Sequence, residues 1–397
     1  MTTGSQVGAV LTPEERLARR KLILRDAISL LTLFLITAVL FVLTFLLHRS
    51  FTDHEEVLGL RWKARGEAAL RAGDPRAAIN SLRSALAYLP TRDTEIELAT
   101  ALAEAGRTTE ATAYFNTLRE TAPGDAMINL QLARLAAKQG DEALAILRYQ
   151  AALDGTWQGN GFDRRRQVRL EMAGYLISRR RFGEARTQLL IASSNAPDDP
   201  AIKLQIAGML EQADDLPDAL NIYRSLAGHR PAPIDALAGA GRAAFSLGMY
   251  RVAADYLGRE LGRAESSSLS AAQLQAGRQM LAASQRILDL YPAFDLPPRV
   301  RAARVLAAKS TARARLTDCA GATAAAPARL ASIVTRWAQL PTRLPIDQLE
   351  QQPDIEQSIM QLVYDTETVT AQVCGAPTGD DALLLRIAHN PGAVEQD

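Results

Sequence analysis

The sequence predicts an all-α protein in which an N-terminal transmembrane helix precedes an α-α superhelix, or solenoid, that ends in a helical C-terminal cap. Three observations predict this class: an uncharged apolar run near the N-terminus, a pattern that recurs at intervals of about 34 residues, and a helix-favouring composition. Alanine, leucine and arginine lose little free energy on entering a helix. The 48% hydrophobic and 22% charged residues indicate a folded chain rather than a disordered one.

Residues 27–47 form an apolar run without any charged side chain. A helix of this length spans roughly 30 Å, the thickness of the hydrocarbon core of a bilayer. The run is longer than the apolar part of a signal peptide, and it ends in His48 and Arg49 without a small-x-small cleavage pattern. An uncleaved signal anchor is therefore favoured over a cleaved signal peptide, and the lipid bilayer is a predicted partner of residues 27–47.

Basic residues lie mainly on the N-terminal side of this run. The basic residues before it are Arg16, Arg19, Arg20, Lys21 and Arg25, whereas only Arg49 and Arg61 follow at a similar distance. Because positive charge stays on the cytoplasmic side of a membrane, residues 1–26 are predicted to be cytoplasmic. The predicted location is the inner membrane of a bacterium, with a single pass and with most of the chain in the periplasm.

A repeated pattern begins at Gly59. Counted from this residue, the fourth, eighth, fifteenth, twentieth, twenty-seventh and thirty-second places hold Trp62, Gly66, Gly73, Ala78, Ala85 and Pro90. The eighth place recurs as Ala99, Ala133, Ala173, Ala207 and Gly241. The pattern resembles that of the tetratricopeptide repeat (TPR) family over residues 59–267, which implies about six repeats of two helices each. Another family of helix-hairpin repeats remains the alternative.

The resemblance implies that partner proteins bind in a groove lined by the first helix of each repeat. Places five, nine and thirteen of the family carry over to the candidate groove residues Lys63, Glu67, Arg71, Arg134, Lys138 and Arg242. Asparagines that help some TPR proteins to bind a terminal carboxylate are missing from these places. An acidic or extended peptide, or a helix, is the expected ligand. The alternative is a groove filled by the protein's own tail or helices.

A glycine-rich segment, residues 154–163, interrupts the spacing between the third and fourth repeats. Because neighbouring repeats must stack, an insertion is expected to loop out. Its two aromatic residues, Trp157 and Phe162, are candidate anchors for a partner, since aromatic side chains often dominate binding energy. Alternatively, Trp157 caps the third repeat in place of a missing proline.

Residues 268–375 are predicted to form a helical cap, and residues 376–397 a loosely ordered tail with a short helix near Leu383–Ile387. A solenoid needs such a cap because its last apolar face is otherwise exposed. The chain has two cysteines, Cys319 and Cys374. In an oxidising compartment they are a possible disulfide, and two unlinked thiols are the alternative.

No motif indicates chemistry, so no catalytic, cofactor-binding or metal-binding residue is predicted. No two histidines are four residues apart, and the absence of C-x-x-C pairs differs from membrane-anchored TPR proteins that carry rubredoxin-like zinc knuckles. The formal net charge of +1 gives no field that attracts nucleic acid, and no small-molecule substrate is expected.

The resemblance and the apolar run together favour a membrane-anchored scaffold that binds partner proteins, with a role in assembling envelope complexes. One alternative is a structural subunit of a single large membrane complex, in which Ser29, Thr37 and Thr44 contact a neighbouring helix. The other is an enzyme whose site lies in the C-terminal helices.

Overall fold

The computed structural model describes residues 13–263, 270–322, 327–341 and 343–390. The first twelve positions of the predicted cytoplasmic segment, the last four of the predicted repeat region and the last seven of the predicted tail lie outside these ranges. All regular elements in the described ranges are α-helices. They form two compact units, residues 1–159 and 160–397.

The first unit consists of helices that pair as hairpins. Its helices are α1 (Pro13–Arg71), α2 (Pro75–Tyr88), α3 (Arg92–Glu104), α4 (Thr108–Thr121), α5 (Ala126–Gln139) and α6 (Glu142–Asp154). Each even-numbered helix packs on the one before it, and α2 and α4 also pack on the next hairpin. The core between them holds Phe115, Leu82, Leu98, Leu102 and Ile128, each fully buried.

Helix α1 is one uninterrupted helix that contains both the apolar run and the first helix of the first repeat. Its large apolar side chains are exposed, for example Leu30 at 67%, Phe34 at 72% and Phe41 at 72%. Within the described ranges it is the one helix long and apolar enough to cross a membrane, a test that signal sequences also pass. Residues 48–58 continue the helix between the apolar run and Gly59, with no break between the two parts.

The second unit begins with three more hairpins. Their helices are α7 (Gly161–Ser178), α8 (Phe182–Ser194), α9 (Pro200–Gln212), α10 (Leu216–Ala227), α11 (Ile234–Leu247) and α12 (Tyr250–Leu261). Helix α13 (Ala271–Leu290) then packs against α12 and α11.

The turn inside every hairpin places one residue in the left-handed region, always at the fifteenth place of the repeat. Glycine occupies it four times, as Gly73, Gly106, Gly140 and Gly248, with φ between 74° and 84°. Arg180 (φ 59°) and Asp214 (φ 58°) occupy it in the fourth and fifth hairpins. This shared turn shows that the hairpins are copies of one structural unit, even where the sequence lacks the glycine.

The C-terminal helices form a core in the second unit that also includes Tyr250 of α12 and Ile287 of α13. They are α14 (Pro298–Ala322), α15 (Ala328–Gln339), α16 (Ile346–Leu349), α17 (Pro353–Cys374) and α18 (Gly379–His389). Helices α14 and α17 pack side by side in the same direction. An ion pair between Arg301 and Glu356 joins them near their N-terminal ends, and the Cys319–Cys374 disulfide joins their C-terminal ends.

Helix α18, which contains the short helix predicted near Leu383–Ile387, packs against the C-terminal core. Leu384 and Ile387 are fully buried in the C-terminal core. Arg286 of α13 donates two hydrogen bonds to Asp380, at 2.9 and 2.6 Å. The Arg386 guanidinium also lies 4.2 Å from the ring centroid of Phe245. Apolar residues spaced three apart (384 and 387) therefore mark a helix that contributes to the core.

Candidate partner-binding surfaces

The candidate groove residues of the first unit connect the first helices of successive hairpins. Lys63 of α1 lies 3.2 Å from the Glu97 carboxylate of α3, and the Lys138 ammonium of α5 donates to the Ala103 carbonyl of α3 at 3.3 Å. These contacts stabilise the stacking of the repeats. They also leave the ammonium groups of Lys63 and Lys138 less available to a partner than the sequence implies.

Burial is the largest influence on Glu97, and it raises the pKa of this carboxyl group. The hydrogen bond and charge of Lys63 oppose this effect, whereas the nearby Glu67 carboxylate adds to it. The Glu97 carboxylate therefore lies near both the Lys63 ammonium and the Glu67 carboxylate. Arg71 donates to the Glu67 backbone carbonyl at 3.4 Å. Arg134, the remaining basic candidate of the groove in this unit, is exposed.

In the second unit, Arg242 lies in a small polar network. Its guanidinium donates to both carboxylate oxygens of Glu211, at 3.2 and 3.1 Å, and the Tyr223 hydroxyl donates to the same carboxylate at 3.1 Å. Burial disfavours the charge of Arg242, but the contacts with Glu211 outweigh it, so the pKa of Arg242 is raised. Burial and the Glu211 charge raise the pKa of Tyr223. This arrangement again joins two first helices, α9 and α11.

Sequence reasoning missed Glu260, a glutamate of α12 that is only 2% exposed. Burial raises its pKa, Arg242 lowers it, and Asp235 raises it. Within the described ranges its Oε2 has no hydrogen-bond partner, and a Cβ on Gly277 of α13 would lie 3.4 Å from the carboxylate oxygens. The signal was present in the sequence, because Glu260 takes the twenty-seventh place, where the first repeat has Ala85.

The first part of the interrupting segment, residues 154–159, packs against the first unit and does not loop out freely. Thr156 exchanges two backbone hydrogen bonds with the turn before α5: its N–H donates to Gly124 at 2.9 Å, and its carbonyl accepts from Ala126 at 3.3 Å. The half-buried Trp157 donates its indole N–H to the Ala152 carbonyl at 3.0 Å, at the end of α6. This contact is the one expected if Trp157 caps the third repeat.

Phe162 differs from Trp157, because its side chain is 81% exposed in the first turn of α7. The turn begins at Asn160, whose side chain accepts a hydrogen bond from the Asp163 N–H at 3.3 Å. An apolar ring held in water on an ordered helix is a possible anchor for a partner. Phe162 therefore stays a candidate on the basis of its exposure.

The structure joins Cys319 and Cys374 in a disulfide, with 5.8 Å between their Cα atoms. Cys319 is only 4% exposed, whereas Cys374 is exposed, so the crosslink lies at the edge of the C-terminal core. Within the described part of the chain, no group of three or more metal-ligating side chains is close enough to hold a metal ion.

The three hydroxyl groups of the apolar run bond to their own helix. Ser29, Thr37 and Thr44 donate to the carbonyls four residues earlier at 3.0, 2.8 and 2.7 Å. Such bonds satisfy the hydroxyl donors without a second helix. The sequence argument for contact with another membrane helix is weaker as a result.

Successive hairpins with one shared turn geometry define the class as a helix-hairpin repeat protein. Residues 69–135 match the model of the tetratricopeptide repeat family. Residues 69–135 therefore contain tetratricopeptide repeat sequence, which confirms for this part of the chain the prediction made from Gly73 and Ala78.

Several solved structures are similar to this chain. PilF of Pseudomonas aeruginosa is 17% identical, with a TM-score of 0.40, over 57% of this chain and 99% of that one. The C-terminal part of a TPR protein from Cytophaga hutchinsonii is 14% identical, with a TM-score of 0.46, over 60% and 91%. PilW, described as a type IV pilus biogenesis factor, is 18% identical, with a TM-score of 0.40, over 55% and 97%. No curated protein sequence matches the chain.

Proposed function

We propose that this protein is a membrane-anchored TPR scaffold that binds partner proteins on the non-cytoplasmic side of a bacterial inner membrane, in the assembly of envelope complexes. The observation that carries the proposal is that one helix, α1, contains both an exposed apolar run and the first helix of the first repeat. The TPR match supports protein binding, since TPR domains are interaction surfaces.

The continuous helix sets the distance between the repeats and the bilayer. Residues 48–58 continue as helix beyond the apolar run, and eleven residues correspond to about 17 Å. The polar headgroup layer is only about 5–8 Å thick on each side. The first hairpin would therefore lie clear of the lipid surface, where a soluble partner can reach it.

Topology is tested with an alkaline phosphatase reporter, which is active only outside the cytoplasm. We expect activity for a fusion after residue 397 and none for a fusion after residue 26, because the basic residues precede the apolar run. The reverse pattern would place the repeats in the cytoplasm and contradict the proposed side of the membrane.

Partner binding is tested by affinity purification of the full-length protein from mild detergent, followed by mass spectrometry. The control lacks residues 59–267 but keeps the apolar run and the C-terminal helices. We expect reproducible partners that are lost with the deletion. If no protein co-purifies reproducibly, or if the partners stay with the control, the TPR surface is not the binding site.

A further inference from the structure

The N-terminal part of α1 carries a group of basic side chains directly before the apolar run. Residues 17–25 contain Arg19, Arg20, Lys21 and Arg25 and no carboxylate, and all four side chains are exposed. Arg25 lies 3.6 Å from Asp26. For Arg20 and Lys21, the positions three and four residues away, where a helix places a partner, hold no carboxylate. These two cations therefore have no counter-ion on their own helix.

Arg20 and Lys21 share one face of α1 with apolar side chains. Leu17 and Leu24 lie one turn before and one turn after them, at the spacing that puts residues on the same side of a helix. The four side chains line one shallow groove. The two leucines are 60% and 63% exposed. The groove therefore offers positive charge and accessible apolar surface side by side.

The basic group lies at the height of the lipid headgroups if the apolar run spans a bilayer. At 1.5 Å per residue, Lys21 is about 9 Å and Arg19 about 12 Å from the start of the run. The headgroup layer is about 5–8 Å thick, and an anionic membrane surface attracts cations within a Debye length of about 8–10 Å. All the cations of residues 17–25 are within this reach.

The other end of the apolar run has the opposite balance of charge. Residues 48–58 contain one arginine, Arg49, and three carboxylates, Asp53, Glu55 and Glu56. An anionic lipid is therefore attracted at the N-terminal end of the run and repelled at the other end.

We propose that residues 17–25 bind anionic phospholipids, with the lipid phosphate at Arg20 and Lys21 and the first carbons of an acyl chain against Leu24. A phospholipid joins an anionic group to an apolar chain, as the groove requires, whereas an acidic peptide supplies the charge alone. A zwitterionic lipid has the same phosphate but adds a positive charge, which Arg20 and Lys21 repel. The inference rests on the proposed function only in that the apolar run lies in a membrane.

Lipid titration tests the site directly. The full-length protein in a neutral detergent is titrated with phosphatidylglycerol or with phosphatidylcholine of the same acyl chains, and native mass spectrometry counts the bound lipids. We expect the Kd of phosphatidylglycerol to be at least about fivefold lower than that of phosphatidylcholine. Equal binding of the two lipids would overturn the proposal.

Two competitors separate a lipid from other sources of negative charge. Glycerol 3-phosphate has the charge of a headgroup without acyl chains, and a capped tetraglutamate peptide represents an acidic polypeptide. At the same concentration as phosphatidylglycerol, we expect neither to displace it. Displacement by glycerol 3-phosphate would make the ligand a free phosphate, and displacement by tetraglutamate would make it an acidic protein; either result overturns the proposal.

Two triple variants locate the binding. The first combines Arg19→Gln, Arg20→Gln and Lys21→Gln, and the control changes three exposed arginines beyond the apolar run, Arg61→Gln, Arg65→Gln and Arg76→Gln. We expect the first to bind the two lipids about equally and the control to keep the preference for phosphatidylglycerol. A preference that survives the first variant, or that the control also loses, contradicts the assignment.

The outcome is independent of the test of the proposed function. Anchoring depends on the apolar run alone, so equal binding of the two lipids leaves the membrane-anchored TPR scaffold standing. Failed co-purification of partner proteins, in turn, leaves the lipid site standing, because the titration uses no partner.

Discussion

At the scale of single residues, the hairpin turns show how the fold tolerates an imperfect sequence. Four of the six turns have glycine at the left-handed position, whereas Arg180 and Asp214 take the same conformation with a side chain. The left-handed region costs an ordinary residue about 1–2 kcal/mol, and aspartate less than most. Of the six turn residues, Arg180 therefore has the highest conformational cost. Packing of the neighbouring helices offsets this cost.

Arg180→Gly is expected to raise the free energy of unfolding by ~0.5–1 kcal/mol, because glycine adopts a positive φ without steric cost. The measurement is a urea unfolding curve followed by circular dichroism. The matched control is Arg179→Gly, since Arg179 has φ −93° and gains nothing from glycine. A destabilised Arg180→Gly protein would show that the arginine side chain contributes more than the strain costs.

The fully buried Glu367 of α17 predicts a pH-dependent stability. Burial, and then the neighbouring Asp381 carboxylate, raise its pKa from 4.5 to about 8, while Arg315 lowers it. The folded protein therefore keeps a proton that the unfolded chain releases above pH 4.5. Stability is full below that pH and falls as the pH rises to about 8, by about 1.4 kcal/mol for each unit of pKa shift.

Glu367→Gln is expected to abolish most of this pH dependence and to make the protein more stable at pH 8, because a neutral amide replaces the buried acid. Thermal unfolding between pH 5 and pH 9 measures it. The same change at the exposed Glu120 serves as the control. If the stability of Glu367→Gln depends on pH as steeply as that of the wild-type protein, other groups cause the pH dependence.

At the scale of elements, the segment between the third and fourth hairpins is a part of the first unit's packing. A Cβ on Gly155 would lie 2.8 Å from the Gly124 carbonyl and 3.0 Å from Ala126, so only glycine allows this approach. The close approach lets Thr156 bond to the turn before α5, and it positions Trp157 over the end of α6.

Gly155→Ala is expected to lower the free energy of unfolding by about 1–3 kcal/mol, because the added methyl group has no room. Chemical unfolding monitored by tryptophan fluorescence measures the change. Gly124→Ala is the matched control, since nothing lies within 4 Å of its Cβ position. Equal stability of the two variants would mean that the segment moves aside without cost.

At the scale of the whole molecule, the Cys319–Cys374 crosslink connects stability with location. Its sequence separation of 55 residues corresponds to about 4 kcal/mol in the chain-entropy model. Disulfides persist in the periplasm and are rare in the cytosol. The redox state of this pair therefore reports on the compartment that contains the C-terminal helices.

Thiol trapping in intact cells, followed by non-reducing electrophoresis, is expected to find the cysteines paired in the wild-type protein. The double variant Cys319→Ser with Cys374→Ser is expected to unfold at a lower temperature, as the crosslink no longer restricts the unfolded chain. A reductant should lower the Tm of the wild-type protein and leave that of the variant unchanged. Free thiols in cells would argue for a reducing compartment.

The sequence alone was enough for the helical class, the repeats and the apolar run. These features depend on local patterns: the spacing of Gly66, Gly73 and Ala78 sets where two helices cross and turn, and 21 uncharged residues are a matter of composition. The count of places within the repeat also locates the turn at Arg180, although this turn has no glycine. Patterns that repeat along the chain are visible without knowledge of distant contacts.

Only the tertiary structure shows which side chains already form contacts within the protein. Lys63, Lys138 and Arg242 were expected to face a partner, yet each contacts the first helix of a neighbouring repeat. The ion pair between Arg301 and Glu356 joins residues 55 positions apart, whose contact no local spacing predicts. Ion pairs of this kind arise from how helices pack in three dimensions, so only the folded chain determines them.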